Sequence, residues 1–191
     1  MNGGWIIASE SCALDNVGAK YVREVNPGEA IMFNSDGFKS IYQKEMKKCS
    51  FCVFEHIYFA RPDSEIDGKL VYKSRLLMGK ELAREYPVDA DMVIGVPDSA
   101  TASAVGYSEE SGIPFGEGLV KNRYVGRTFI NPDQRMREVG VKVKLNPLKE
   151  LIQGKRLVVV DDSIVRGTTS KPVVSLLRNE GASEIHLRLC A

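Results

Sequence analysis

The sequence predicts an α/β fold with a parallel-sheet core, preceded by a β-rich segment of different character. Three observations lead there. Leu157-Val158-Val159-Val160 is an unbroken, mostly β-branched apolar run, the pattern of a strand buried on both faces of a parallel sheet. Asp91-Met92-Val93-Ile94-Gly95-Val96 is a second such run, and each is followed by a polar loop and then a helical pattern. Before about Glu45 the strand-like segments follow one another with little helix. That contrast places a domain change there, giving units 1–45 and 46–191.

In the first unit, Trp5-Ile6-Ile7-Ala8 reads as a strand, and Ser9–Asn16 as a turn into a short helix. Tyr21–Val25 and Glu29–Phe33 flank Asn26-Pro27-Gly28, which predicts a hairpin. Phe54–Ser64 reads as a strand ending in a turn. Leu70–Tyr86 has no proline and is rich in helix formers, with Leu70, Leu77 and Leu82 as the expected apolar stripe of a surface helix. Gly116–Val120 is the next expected strand. Lys121 to Pro147 follows as a long basic loop with few apolar anchors, and a loop beyond ~12–15 residues in a compact domain is usually functional or disordered. Pro172–Asn179 continues as a helix facing inward through Val173, Val174 and Leu177, Gly181 stops it, and Glu184–Leu189 alternates as a strand.

Composition narrows the function. The formal net charge is +1, which argues against a general polyanion binder, so nucleic acid is not expected as a partner. No apolar run approaches the roughly 20 residues of a membrane span, and no basic-then-apolar start marks a signal peptide. The four cysteines, Cys12, Cys49, Cys52 and Cys190, lack disulfide-framework spacing, which suits the cytoplasm. Cys49-Ser50-Phe51-Cys52 is a lone CxxC without the second pair that a zinc site needs.

The chemistry concentrates where the second buried run ends. Asp161-Asp162-Ser163-Ile164-Val165-Arg166-Gly167-Thr168-Thr169-Ser170 falls beyond the carboxyl end of its strand, where open α/β sheets bind ligands. Hydroxyls, a glycine and the first turn of a helix make a phosphate site. Two carboxylates beside it point to sugar hydroxyls and to Mg2+, which prefers carboxylate oxygen shared with substrate oxygen. The implied ligand is a ribose 5′-phosphate with a metal nearby. Pro97-Asp98-Ser99-Ala100-Thr101 is a second loop of the same design. Alone it reads equally as a helix start capped by Asp or Ser; beside the first loop it reads as a ligand site.

Asp161 to Ser170 closely resembles the phosphoribosyl-pyrophosphate (PRPP) signature of type I phosphoribosyltransferases, and DDSIVRGTTS is similar in particular to the amidophosphoribosyltransferase family. Three further stretches agree in order: ASESCALD near the start, FExIYFARPDS at Phe54–Ser64, and KNRYVGRTFI at Lys121–Ile130. The resemblance implies a type I phosphoribosyltransferase core preceded by the end of an N-terminal-nucleophile glutaminase domain, with the cysteine nucleophile and the end of the core lying outside this sequence.

On that resemblance, PRPP contacts are Pro97, Asp98, Ser99, Asp161, Asp162, Ser163, Ile164, Val165, Arg166, Gly167, Thr168 and Thr169. Ser99, Asp161 and Asp162 face Mg2+. Lys121, Arg123 and Arg127 belong to a catalytic loop that closes over PRPP. Asp15 matches a carboxylate that holds glutamine, and is expected to be idle without the rest of its pocket. Cys12 matches no catalytic position and reads as a small buried thiol. Cys52 matches one ligand of a [4Fe–4S] cluster whose other ligands lie outside the sequence. Glutamine or ammonia is the implied nitrogen donor, purine nucleotides the feedback inhibitors, and the full-length assembly a homo-oligomer. A PRPP-binding regulator and a base phosphoribosyltransferase are alternatives on the same fold; the Lys121–Pro147 loop and the glutaminase-like start speak against the second.

Overall fold

The structure is a computed structural model that describes residues 4–43, 50–124, 144–164, 167 and 170–191. Its centre is a parallel sheet of β5 (Met92–Gly95), β8 (Arg156–Asp161) and β9 (Glu184–Leu189), in that spatial order. Phe115 adds a parallel bridge to Val93 on the other side of β5. Along the chain the four stretches therefore sit in the order second, first, third, fourth. The reversal falls between β5 and β8, and a crevice opens at such a switch point beyond the carboxyl ends of the strands.

The two faces of the sheet follow from strict alternation. Met92, Ile94, Leu157 and Val159 face one way and pack with Leu119, Leu145, Ile152, Val173 and Leu177. Val93, Val158 and Val160 face the other way, against Leu82, Ala83, Ala100, Ala104 and Tyr107. Helix α5 (Ser170–Asn179), the short α4 (Lys149–Ile152) and the antiparallel pair β6 (Leu119–Lys121) and β7 (Leu145–Pro147) cover the first face. Helices α2 (Val71–Glu85) and α3 (Thr101–Ser111) cover the second. Burial on both sides is why the strands carry continuous apolar runs.

Several expectations are corrected. Tyr21–Val25 is not a strand. The hairpin lies one step later, between β1 (Glu29–Asn34) and β2 (Gly37–Gln43), across Ser35-Asp36, with Gly37 at φ 134°. Trp5–Ala8 pairs with no strand among the described residues, and Trp5 instead packs on Phe33 and Phe38 with ring centroids 5.8 and 5.0 Å away. Phe54–Ser64 is not a strand: Glu55–Phe59 forms a wide helical turn closed by the Ala60 N–H to the Glu55 carbonyl at 3.1 Å. The long loop is shorter than expected, because Leu145–Pro147 pairs with Leu119–Lys121.

The stripe on α2 also differs. Leu70 and Leu77 are exposed, whereas Val71, Arg75, Gly79, Leu82 and Ala83 form the buried face. Glycines explain the change. A Cβ on Gly79 would lie 1.9 Å from the Ser103 carbonyl oxygen, and one on Gly106 would lie 2.0 Å from that of Leu76. The backbones of α2 and α3 touch, so small residues rather than leucines face inward. Elsewhere the expected elements stand: α1 (Ser11–Asn16), α3 after the Pro97–Thr101 loop, and α5 with Val173 and Leu177 inward. Among the described residues no helix is long and apolar enough to cross a membrane.

At the amino end of the sheet, Arg156 donates to Asp89 at 2.6 Å and to Asp91 at 2.8 Å. These bonds, with the Arg156 N–H, hold the Asp91 carboxyl at about 2. Its folded value lies below its ordinary 3.8, so the stabilisation is present above about pH 4 and is lost as pH falls toward 2. Urea unfolding between pH 2.5 and 5 should show this slope. Arg156→Ala should flatten it.

Candidate functional site

Asp161 is the last residue of β8 and Asp162 the first beyond it. Both are buried, at 7% and 8% exposure. The Val96 N–H donates to the Val160 carbonyl at 2.9 Å, so the loops after β5 and β8 leave the sheet side by side. Ser99, in the first loop, donates its hydroxyl to Asp162 Oδ2 at 2.5 Å. Ser163 donates to Asp162 Oδ1 at 2.6 Å, and the Asp162 N–H donates to Asp161 Oδ1 at 2.9 Å. Residues 63 positions apart thus meet at the switch point of the sheet.

The carboxylates are electrostatically loaded. Burial, and next the Asp162 charge beside it, push the Asp161 carboxyl up to about 7, against a smaller opposing effect of the Asp162 N–H. Desolvation disfavours the charged form, and a like charge adds to that. Such a pair gains from a cation. Two carboxylates and a hydroxyl offer hard oxygens, and Mg2+ requires only one or two carboxylates when substrate oxygens and waters complete its shell. The donor set fits Mg2+. Among the described residues no three His, Cys, Asp or Glu side chains gather as a self-sufficient metal site.

The phosphate side of the site has an open backbone. Gly167 adopts φ +66°, a region favouring glycine, and a Cβ built there meets nothing within 4 Å. Buried Ser170 begins α5, which follows directly. Pro97 and Ser163 are half-buried, and Asp98 and Ile164 are exposed at the rim. Lys121, at the end of β6, forms an ion pair with Asp98 and so stands beside the first loop. Arg123 is exposed in the turn that follows. Arg127, Val165, Arg166, Thr168 and Thr169 lie outside the described residues, as does Cys49.

Other expected residues stand apart. Asp15 is exposed on α1, whose side-chain bonds run elsewhere. Glu10, just before α1, accepts the Arg61 N–H at 2.7 Å and the Ser64 hydroxyl at 2.8 Å, and Ser11 accepts the Glu65 N–H at 2.8 Å. Cys12 is the buried thiol expected of it. Cys52 is a free, exposed cysteine; by themselves the described residues do not fit a [4Fe–4S] cluster. One buried charge escaped the sequence reading: Arg75 on α2, at 3% exposure. Its signal was its place between Val71 and Gly79 on the inward face.

A model of the phosphoribosyl transferase domain matches residues 74–190, which hold β5, β8, β9 and both loops. The chain belongs to the phosphoribosyl transferase family. Among its curated relatives, the amidophosphoribosyltransferase of Mycobacterium tuberculosis (strain ATCC 25618 / H37Rv) is 54% identical over 192 residues, covering 100% of this chain and 36% of the relative. That of Bacillus subtilis (strain 168) is 52% identical over 189 residues, covering 99% and 40%. That of Archaeoglobus fulgidus is 51% identical over 189 residues, covering 99% and 41%.

Solved phosphoribosyl transferase relatives agree in shape. The structure of the allosteric regulatory enzyme of purine biosynthesis superposes with a TM-score of 0.85 at 53% identity, covering 96% of this chain and 39% of that one. The glutamine PRPP amidotransferase of B. subtilis, complexed with ADP and GMP, superposes with a TM-score of 0.85 at 53% identity, covering 96% and 40%. The chain spans about two fifths of the length of these relatives.

Proposed function

We propose that this chain carries the PRPP site of an amidophosphoribosyltransferase, which transfers a phosphoribosyl group to ammonia derived from glutamine. The products are 5-phosphoribosylamine, pyrophosphate and glutamate, and the step opens purine (IMP) synthesis. The observation that carries this reading is the bond from Ser99 to Asp162 at the switch point, which brings the two loops together. The extent and identity of the match to amidophosphoribosyltransferases support the choice of acceptor.

In this reading Asp161 and Asp162 face the ribose hydroxyls, and with Ser99 they hold Mg2+. When bound, Mg2+ neutralises charge on the leaving pyrophosphate. The Pro97–Ser99 loop takes the pyrophosphate, and residues 163–169 take the 5′-phosphate. The positive side chains Lys121, Arg123 and Arg127 stabilise charge as C1′ becomes cationic and the pyrophosphate leaves. The C1′–oxygen bond to pyrophosphate breaks as the C1′–nitrogen bond forms. Positioning and fixed charge carry the rate, with no covalent nucleophile. Loop closure keeps water from the cationic C1′.

The remaining assignments belong to the same proposal. Residues 1–45 end a glutaminase unit and 46–191 form the phosphoribosyltransferase unit. Asp15 contacts glutamine in the longer protein, Cys52 is one thiolate of its cluster, purine nucleotides inhibit it, and it works as a cytoplasmic homo-oligomer. The test is pyrophosphate release by the 191-residue chain with PRPP, Mg2+ and ammonia, and separately with free purine or pyrimidine bases. Weak release with ammonia alone is the expected result. Release with a base would assign the site to base exchange, and tight PRPP binding without release would assign it to a regulator.

A further inference from the structure

Residues 4–43 have little apolar hold on the rest of the chain. Cys12 is the one buried apolar residue among them, while Trp5, Ile7, Val17, Tyr21, Val22 and Ile41 are exposed. Among the described residues, the hydrogen bonds that reach across run from two neighbouring side chains, Glu10 and Ser11, to one short stretch, Arg61–Glu65. Glu10 stands at the head of α1 yet makes no side-chain bond to that helix. Its Oε2 instead accepts the Arg61 N–H at 2.7 Å and the Ser64 hydroxyl at 2.8 Å, from 51 and 54 residues away. Ser11 Oγ accepts the Glu65 N–H at 2.8 Å.

The other side of this contact is tied to α2. Ser64 is fully buried. Its carbonyl accepts the Val71 N–H at 2.9 Å, and the Pro62 carbonyl accepts the Tyr72 N–H at 2.8 Å. The stretch therefore caps α2, which has no side-chain cap of its own. Glu10 addresses a main-chain N–H and a buried hydroxyl rather than a counter-ion, because the Arg61 guanidinium is taken by Asp63 at 2.7 and 3.0 Å. Bonds to a charged acceptor are stronger than neutral ones. The Arg61 N–H, against burial and helped by the Ser64 hydroxyl, holds the Glu10 carboxyl below its ordinary range, so the acceptor is charged at neutral pH.

We propose that Glu10 is a clasp: this one carboxylate fastens residues 4–43 to the start of α2, where an apolar interface is lacking. The clasp is a conformational device outside the PRPP site and does not rest on the PRPP reading. Removing it leaves the buried Ser64 hydroxyl unpaired as well as the segment loose. The Ser11 bond depends on it, because Ser11 reaches Glu65 only while α1 is held in place. Helix α1 carries Asp15, so the clasp also fixes where that carboxylate stands relative to α2.

The test is residue-resolved amide hydrogen exchange on the 191-residue chain. In the wild type the Arg61 and Glu65 N–H groups should each be protected at least a hundredfold, and open amides there overturn the proposal. In Glu10→Ala the Arg61 N–H should lose protection by about a hundredfold, roughly tenfold for each of two bonds to a charged acceptor. The Glu65 N–H, which Glu10 does not touch, should lose protection by a similar factor, because one segment lets go of both. Val93 and Val159 in the sheet should keep theirs. Arg61→Ala should change neither by more than about threefold, since the clasp holds the Arg61 N–H and not its guanidinium. Loss at Arg61 alone, or at neither, in Glu10→Ala overturns the proposal, as does loss of both in Arg61→Ala. Should Glu10→Ala unfold the sheet as well, Glu10→Gln decides. Its amide oxygen accepts the same bonds without the charge, so protection at Arg61 and Glu65 should fall together by about fivefold. A fall at one alone, or at neither, overturns the clasp.

Discussion

Replacing Asp161 and Asp162 together by asparagine should cut PRPP-dependent pyrophosphate release by about a thousandfold or more, in whatever assembly shows the activity. Asparagine keeps the shape; at residue 162 its one amide oxygen can still accept from one of Ser99 and Ser163, while its NH2 can donate to the hydroxyl oxygen of the other. What is lost is two negative charges at a metal that would stabilise the leaving pyrophosphate polyanion, a contribution of several kcal/mol. At about 1.4 kcal/mol per decade that gives the thousandfold figure.

Stability should respond in the opposite direction. Asp161 is buried and its carboxyl is pushed up to about 7, while its ordinary value is 3.8. A raised folded value means the neutral form suits the fold, so stability is full below about pH 4 and is lost as pH climbs through 7. Without metal, Asp161→Asn removes that penalty, about 2–4 kcal/mol above pH 7. Thermal melts at pH 5 and pH 8 in EDTA check this. The wild type should lose stability between the two pH values by more than the variant does. A pair whose removal destroys turnover, while Asp161→Asn alone raises the pH 8 melting temperature, marks residues placed for chemistry at the expense of the fold. If turnover were unchanged in the double variant, the metal and ribose roles of both carboxylates would fall.

The sheet and its two loops were legible because physics leaves them few alternatives. A strand covered on both faces must be apolar throughout, so Leu157–Val160 and Met92–Val96 announced themselves. Carboxylates and hydroxyls crowded just past such a run have no packing role to fill. Their meeting across the sheet, Ser99 on Asp162, followed once the strands were taken as parallel neighbours. Segments without a covered face were less legible. Trp5–Ala8 and Tyr21–Val25 read as strands yet have no strand partner among the described residues, because a local apolar pattern does not specify what pairs. The hairpin turn was assigned to Asn26-Pro27-Gly28, although Asp36-Gly37 is the better short-turn signal.

Glu55–Phe59 went wrong for a different reason. Its aromatic-rich run reads as a strand, but the Arg75 guanidinium takes the carbonyls of His56 and Ala60, 19 and 15 residues from it in sequence, and holds them on a wide helical turn. A tertiary bond overrode a local pattern, and no window of sequence contains both partners. Arg75 itself was hidden because arginine is expected outside. Its site in the fold shows what a charge in the inward register of a helix does here: it gathers the carbonyls of a neighbouring turn.

The second large effect is expected at the α2–α3 crossing. Gly79→Ala and Gly106→Ala should each lower stability by about 2–3 kcal/mol, near the top of the usual cost of overpacking. Two effects compete. Alanine favours a helix interior over glycine by about 1 kcal/mol, which would stabilise both variants if space allowed. Space does not allow it, because each new methyl would lie 1.9–2.0 Å from a main-chain carbonyl oxygen, and a backbone on a second helix cannot step aside as a flexible side chain can. The helices must move apart. That loosens Tyr107, Ala104 and Leu82 from Val93, Val158 and Val160 and stretches the Ser103 bond to Arg75. At about 2–4 °C per kcal/mol for a chain of this size, a melting temperature lower by roughly 4–12 °C is expected. Leu77→Ala is the control, since that leucine is exposed and should change stability by less than about 0.5 kcal/mol. A glycine variant as stable as the wild type would mean that α2 and α3 do not touch through their backbones. The inward face of α2 would then have to be drawn again, Arg75 included.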